Sequence, residues 1–195
     1  MVGMGAPVTE SYRTKTNWSD EGETEWRLDR DAVVQRSPSG WEFKICFADI
    51  QSVRLWQAPL KFVPWRWKCR ISSTSESMTF DNTNSTWWST DNRSNEFAEF
   101  TRVLLLRLPS VAPQARALAG TTPLWWFTQI AIGSLLALFV AFELRAWLAD
   151  DSWSGWLLPL SAGLFVFWIF WSDVSKERPR VATFDELRAI LDKIE

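Results

Sequence analysis

The sequence has no histidine, two cysteines and one tyrosine in 195 residues. Without histidine, Ser-His-Asp and Cys-His catalytic pairs are excluded, as is any histidine-ligated metal site. Two cysteines are too few for a disulfide scaffold or a four-thiolate zinc site. An excess of either charge is missing too: Lys plus Arg is 21 and Asp plus Glu is 23, a formal net charge of −2. That balance argues against a nucleic-acid partner. There is also no glycine-rich phosphate loop, no metal-ligand spacing and no nucleophile placed beside a base. These absences lead us to expect a protein that is not an enzyme and carries no cofactor and no metal.

Apolar and aromatic residues are abundant, with 15 Trp and 13 Phe and 47% hydrophobic residues overall. They are unevenly distributed. Residues 1–23 are polar and run into an acidic cluster of Asp20, Glu21, Glu23 and Glu25. They lack the long apolar run of a signal peptide and read as a disordered tail.

Residues 24–110 read as a small α+β domain, strands followed by one helix. Trp26 and Leu28 alternate with Arg27 and Asp29, and Pro38-Ser39-Gly40 signals a turn. Trp41, Phe43, Ile45 and Phe47 then alternate with Glu42, Lys44 and Cys46, the period of a strand with one wet face. Further strands are expected at 50–56, 65–71 and 77–81, and the Asn-, Ser- and Thr-rich stretch 82–95 reads as loop. In the second of these, Trp65, Trp67, Cys69 and Ile71 share one face and Arg66, Lys68 and Arg70 the other. Cys46 and Cys69 fall on opposite faces of their strands, so a mutual disulfide is not expected, which suits a reducing cytosol. Phe97, Phe100, Val103, Leu104 and Leu108 recur at helical spacing and predict a helix over 95–108, stopped by Pro109. Residues 111–122 read as a linker.

Two long apolar runs follow. Pro123 to Phe142 is 20 residues without a charge, roughly 30 Å as a helix and one bilayer core thick. Trp153 to Ser172 is a second uncharged run, with Pro159 and Gly163 inside it. The expected organisation is a two-helix transmembrane hairpin, 123–148 and 153–173, joined by a short periplasmic loop at 149–152. Trp125, Trp126, Trp147, Trp153, Trp156, Trp168 and Trp171 sit near the ends of these runs, as interfacial anchors do. Gly133, Ala137 and Ala141, and Pro159 and Gly163, repeat every four residues, and small residues allow two helix backbones to approach. Arg102, Arg107, Arg116, Lys176, Arg178 and Arg180 flank the hairpin on its outer side, whereas the loop end holds Arg145 among Glu143, Asp150 and Asp151. Positive flanks stay in the cytoplasm. The expected location is therefore a membrane, crossed twice, with both termini cytoplasmic.

Two further stretches carry information. Arg54 to Arg70 holds Arg54, Lys61, Arg66, Lys68 and Arg70 with no acidic residue, interleaved with Trp56, Phe62, Trp65 and Trp67. Cations beside aromatics suit contact with anionic lipid headgroups at a membrane surface. In the tail 174–195, Thr183 reads as an N-cap and Phe184, Leu187, Ile190, Leu191 and Ile194 as the apolar stripe of a short amphipathic helix.

The order of strands, helix, two apolar runs and a short tail resembles a family of bacterial, mostly proteobacterial, membrane proteins without an assigned activity. The matching pieces are FADIQSVRLWQAPLKF, WRWKCRISSTS, DNRSNEFAEFTRVLLLRL, AGTTPLWW and KERPRVATFDEL, which together span most of residues 24–187. None of them is a catalytic motif. The resemblance implies a pleckstrin-homology-like domain, a bent antiparallel sheet capped by the helix near 95–108, serving as a lipid- or protein-binding module. Two functions are consistent with this reading. One is a non-enzymatic inner-membrane protein whose cytosolic domain binds anionic headgroups or a protein partner at the membrane surface. The alternative is an accessory subunit or immunity-type protein that acts through its transmembrane hairpin, as a homo-oligomer or in a larger membrane complex.

Overall fold

The computed structural model describes residues 11–15, 22–58, 65–85, 90–148, 157–175 and 178–194. The chain forms two units, 1–119 together with 180–195, and 120–179.

The first unit is α+β. Strands β1 (Ser11–Thr14), β2 (Thr24–Leu28), β3 (Ala32–Arg36) and β4 (Glu42–Cys46) form an antiparallel meander in chain order. Gly40, at φ 85°, closes the turn before β4, where its N–H donates to the Ser37 carbonyl at 2.9 Å. A short 3₁₀ turn, Phe47–Asp49, leads to β5 (Ser52–Gln57), β6 (Trp67–Ser72) and β7 (Ser77–Asp81). A small ladder of β8 (Thr83–Ser85) and β9 (Thr90–Asn92) follows, then helix α1 (Ser94–Val111) and β10 (Arg116–Ala119). After the second unit the chain returns as β11 (Arg180–Ala182) and helix α4 (Phe184–Leu191). The second sheet has the order β11-β10-β5-β6-β7.

The core lies among the two sheets and α1. Trp26, Leu28, Val33 and Ile45 come from the first sheet, and Val53, Leu55, Cys69, Ile71, Met78 and Phe80 from the second. Phe97, Phe100, Leu104, Leu105 and Leu108 come from α1. The strand alternation and the helical period seen in the sequence place these side chains inward. Tyr12, Trp26, Phe80, Phe97 and Phe100 form an aromatic nest with ring centroids 5.1–6.3 Å apart. Trp41, expected on the inward face of β4, is instead exposed and stacks flat on Phe43 at 5.6 Å.

The stretch 82–95, expected as loop, holds the β8–β9 ladder, and four boundaries also differ from expectation. Residues 11–14, assigned to the tail 1–23, form β1, which pairs with β2 from Ser11 opposite Arg27 to Thr14 opposite Thr24. They contain one apolar side chain, Tyr12, so no alternation announces the strand; its burial is completed by a hydrogen bond from Tyr12 Oη to the Asp81 carbonyl at 2.6 Å. Helix α1 runs on to Val111 because Pro109 falls in its last turn, and Ala112 N–H still reaches the Leu108 carbonyl at 2.8 Å. A proline there forfeits its bond to the Leu105 carbonyl and crowds that group, but with Ser110 and Val111 alone beyond it little helix is left to bend. The linker 111–122 contains β10, which pairs parallel with β5, Arg116 opposite Ser52 and Ala119 opposite Leu55. This parallel pairing also departs from the all-antiparallel sheet that the family resemblance implies. The tail 174–195 adds β11, antiparallel to β10. Short strands such as β10, with Ala at two of its four positions, carry little propensity of their own. They form because the edge of β5 has backbone groups that need partners.

The amphipathic stripe of α4 is used within its own unit. Thr183 accepts the Glu186 N–H at 3.1 Å while the Glu186 carboxylate accepts the Thr183 N–H at 3.0 Å, a reciprocal capping box. Leu187 and Leu191 then enter the core, and Arg102 of α1 pairs with Asp192 at 2.9 Å.

The second unit contains helices α2 (Pro123–Leu148) and α3 (Leu157–Val174). They run antiparallel, since Trp126 Nε1 donates to the Val174 carbonyl at 3.1 Å while Gly163 lies against Ala137 and Ala141. Among the described residues one helix, Pro123–Leu144, is long and apolar enough to cross a membrane by length and composition, with a mean hydropathy of 1.8. The second expected span, 153–173, coincides with the 18-residue α3 over 157–173; residues 149–156, including the expected loop, lie outside the described residues.

The second unit is an insertion in a β-ladder: Ala119 of β10 and Arg180 of β11 are direct register partners. Replacing residues 120–179 by an Asn-Gly turn, which suits a two-residue hairpin, is expected to yield a soluble protein with a single cooperative thermal transition. A non-cooperative melt by circular dichroism would show that the α+β unit depends on the helix pair.

Candidate functional site

The five-stranded sheet has an inner face, built of Val53, Leu55, Cys69, Ile71, Met78 and Phe80, and an outer face that no helix of its own unit claims as core. On that outer face alternation places Arg54 and Trp56 of β5 and Lys68 and Arg70 of β6. The register brings them together: Arg54 lies directly opposite Arg70, and Trp56 opposite Lys68. The Arg54 rung continues to Leu118 and Val181 on one side and to Thr79 on the other. Arg70 Nε donates to Thr79 Oγ1 at 3.1 Å.

Like charges directly opposite in a ladder repel. Partial burial, and then the neighbouring Arg70, hold the Arg54 guanidinium below the usual arginine range. Burial, and then Arg66, lower the Lys68 ammonium; Asp81 opposes this and Arg70 adds to it. The face therefore holds concentrated positive charge at some cost to itself.

Arg66 behaves differently from the other cations of the stretch. Its side chain is 11% exposed and paired with Asp81, which is 1% exposed. Arg66 Nε donates to Asp81 Oδ2 at 3.0 Å, and Thr83 Oγ1 donates to Oδ1 at 2.9 Å. Arg66, expected at a membrane surface, is thus committed to an internal ion pair. The stretch Arg54–Arg70 contains no acid of its own, but strand pairing supplies one from β7. Next to it, Asn82 accepts the Trp67 N–H at 2.7 Å and donates to the Trp65 carbonyl at 3.0 Å and to Ser94 Oγ at 2.8 Å. The polar residues 81–84, three of which were read as loop, are buried. Trp65 is half-buried, and Trp67 packs against the core. Lys61 and Phe62 lie outside the described residues.

In the helix pair, Gly133 and Ala141 are buried and Ala137 is half-buried, all on one face of α2. Gly163 of α3 approaches this face so closely that a Cβ added to it would stand 2.8 Å from the Ala137 carbonyl oxygen and 3.3 Å from Ala141 Cβ. The side chain of Pro159 lies outside what is described. Thr128 and Ser134 bond back to the Leu124 and Ile130 carbonyls, both at 2.9 Å, while buried Gln129 Oε1 has no donor among the described residues. Trp125, Trp168 and Trp171 are exposed, and Trp126 is half-buried beneath the Arg178 guanidinium, 6.0 Å from its ring centroid. The side chain of Trp147 and all of Trp153 and Trp156 lie outside the described residues.

Among the described residues no group of three or more His, Cys, Asp or Glu side chains is placed to hold a metal ion. Burial pushes the Cys69 thiol well above its usual range, so it is a weak nucleophile. Sequence reasoning missed Asp81, Asn82, Leu118 and Val181. The first two were hidden in a polar stretch, and the last two in strands that exist only as sheet partners.

Two expectations follow. Asp81→Ala leaves Arg66 buried without its partner and is expected to cost about 3–5 kcal/mol, read as a large drop in the denaturation midpoint. Gly163→Val forces the helix backbones apart and is expected to cost about 1–3 kcal/mol by overpacking, read as a lower melting temperature in detergent; Ser161→Val, at an exposed position of the same helix, serves as the control.

No protein-family model matches this sequence, and no curated protein is significantly similar to it.

Proposed function

We propose that this is a non-enzymatic integral protein of a bacterial inner membrane, with helices α2 and α3 as a hairpin in the bilayer and the α+β unit, pleckstrin-homology-like in kind, as a cytoplasmic binding module for anionic headgroups or a protein partner. The observation that carries this reading is the outer surface of the helix pair. Leu124, Trp125, Phe127, Ile132, Leu135, Leu136, Leu138, Phe139 and Phe142 of α2 are exposed, as are Leu164, Phe165, Trp168 and Trp171 of α3. Water-soluble monomers rarely present a contiguous apolar surface of this extent. In hydrocarbon the same surface is solvated, and all backbone groups of a helix are satisfied internally.

Charge supports the orientation. In the sequence, Arg116, Arg178 and Arg180 flank the helix pair on its outer side, and Asp150 and Asp151 fall between the two helices. The basic outer face of the five-stranded sheet supports the binding role. A module tethered through a few residues to a membrane span needs only weak intrinsic affinity, because the tether sets a high local concentration.

Membranes washed with alkaline carbonate are expected to retain the full chain. In intact cells a membrane-impermeant maleimide is expected to label an Asp150→Cys variant and to leave the parent, with Cys46 and Cys69 alone, unlabelled. Release by carbonate, or labelling of the parent and not of the variant, would overturn the membrane reading or its orientation.

A further inference from the structure

We infer that the outer face of the five-stranded sheet is a site for one phosphate-bearing anionic lipid, with Arg54, Arg70 and Lys68 on the phosphate and Leu118 and Val181 against the adjoining apolar part of the lipid. This rests on the membrane reading above and gives its binding module a position and a ligand class.

The register carries the inference. One rung across the sheet reads Val181, Leu118, Arg54, Arg70, Thr79, with each residue opposite the next. Strands lie about 4.8 Å apart, so apolar surface gives way to paired guanidinium groups within a single strand spacing. Val181 is 77% exposed although it is β-branched and sits in a sheet, and Leu118 beside it is only half-buried. Lys68 joins from the neighbouring rung, next to Trp56. The Lys68 ammonium makes no hydrogen bond among the described residues. The acid on that rung, Asp81, is already engaged by Arg66 and Thr83.

The register sets Arg54 and Arg70 on opposing positions, where like charges repel. An anion between them removes that repulsion, and guanidinium groups match phosphate oxygens in geometry as well as charge. A soluble phosphate would leave Val181 and Leu118 in water. An anionic lipid uses both halves of the face, since its phosphate and the start of its acyl chains are separated by a comparable few ångströms.

The test uses the full chain in an uncharged detergent. Dihexanoylphosphatidylglycerol, dihexanoylphosphatidylcholine and inorganic phosphate are each titrated in by calorimetry, at low and high salt. Saturable binding of the glycerol lipid is expected, weakened by salt, with no saturable binding of the choline lipid or of phosphate. Arg54→Glu places opposite charges across the ladder and is expected to lower lipid affinity at least roughly tenfold, with the melting temperature read alongside to show that the variant folds. Lys68→Glu, on the next rung, is expected to weaken binding similarly and carries the test if Arg54→Glu fails to fold. Unchanged affinity in the folded variants overturns the site. Equal binding of the choline lipid overturns the charge recognition, and binding of inorganic phosphate as tight as that of the lipid overturns the lipid as ligand. Because the probes are soluble, these outcomes read the site even if carbonate extraction has already removed the membrane reading.

Discussion

The α+β unit depends on a short buried polar segment at the end of β7. Asp81 neutralises Arg66 inside the protein, and Asn82 ties the Trp65 carbonyl and the Trp67 N–H to the first turn of α1 through Ser94. Tyr12 and Thr14 reach the same segment from β1, bonding to the carbonyls of Asp81 and Thr83. Four elements distant in sequence are thereby joined at one place. Each bond is modest taken alone, but all of them lie in low dielectric, where an unmade bond is expensive. The segment fixes how the first sheet, the second sheet and α1 meet, and the aromatic nest of Tyr12, Trp26, Phe80, Phe97 and Phe100 packs beside it.

With the core oriented in this way, the second sheet has one face committed and one face available. The committed face is apolar and closes on α1 and α4. The available face collects cations because β5 and β6 alternate in phase, so their positive residues coincide on opposing positions. That coincidence is unfavourable for folding, since like charges on opposing positions repel. Arg66 was removed from this set by Asp81. The distinction is electrostatic and geometric: Arg66 lies within reach of a buried carboxylate, whereas Arg54 and Arg70 face each other.

The helix pair enters the same sheet as an insertion between β10 and β11. Its two ends are register partners, so the sheet closes whether the connection is long or short. Within the pair, Gly163 permits contact at the level of the backbone, and the larger side chains are left to point outward. This arrangement is normal where solvation is by hydrocarbon, since packing rather than apolar burial holds membrane helices together.

Much of this was legible in the chain itself. Apart from exposed Trp41, the strand patterns at 41–47, 50–56 and 65–71, and the three-and-four spacing of Phe97, Phe100, Leu104 and Leu108, announced the strands and the helix, because side-chain direction follows backbone period directly. The Thr183 cap and the apolar extent of 123–142 were equally local properties. The tertiary structure alone decided the rest. Strands β1, β10 and β11 exist because neighbouring edges needed hydrogen bonds, and their own residues did not announce them. Burial of the polar residues 81–84 required partners from β1, the start of β6 and α1. Whether a given arginine faced an acid or another arginine depended on strand register, a relation between distant segments that no local pattern encodes.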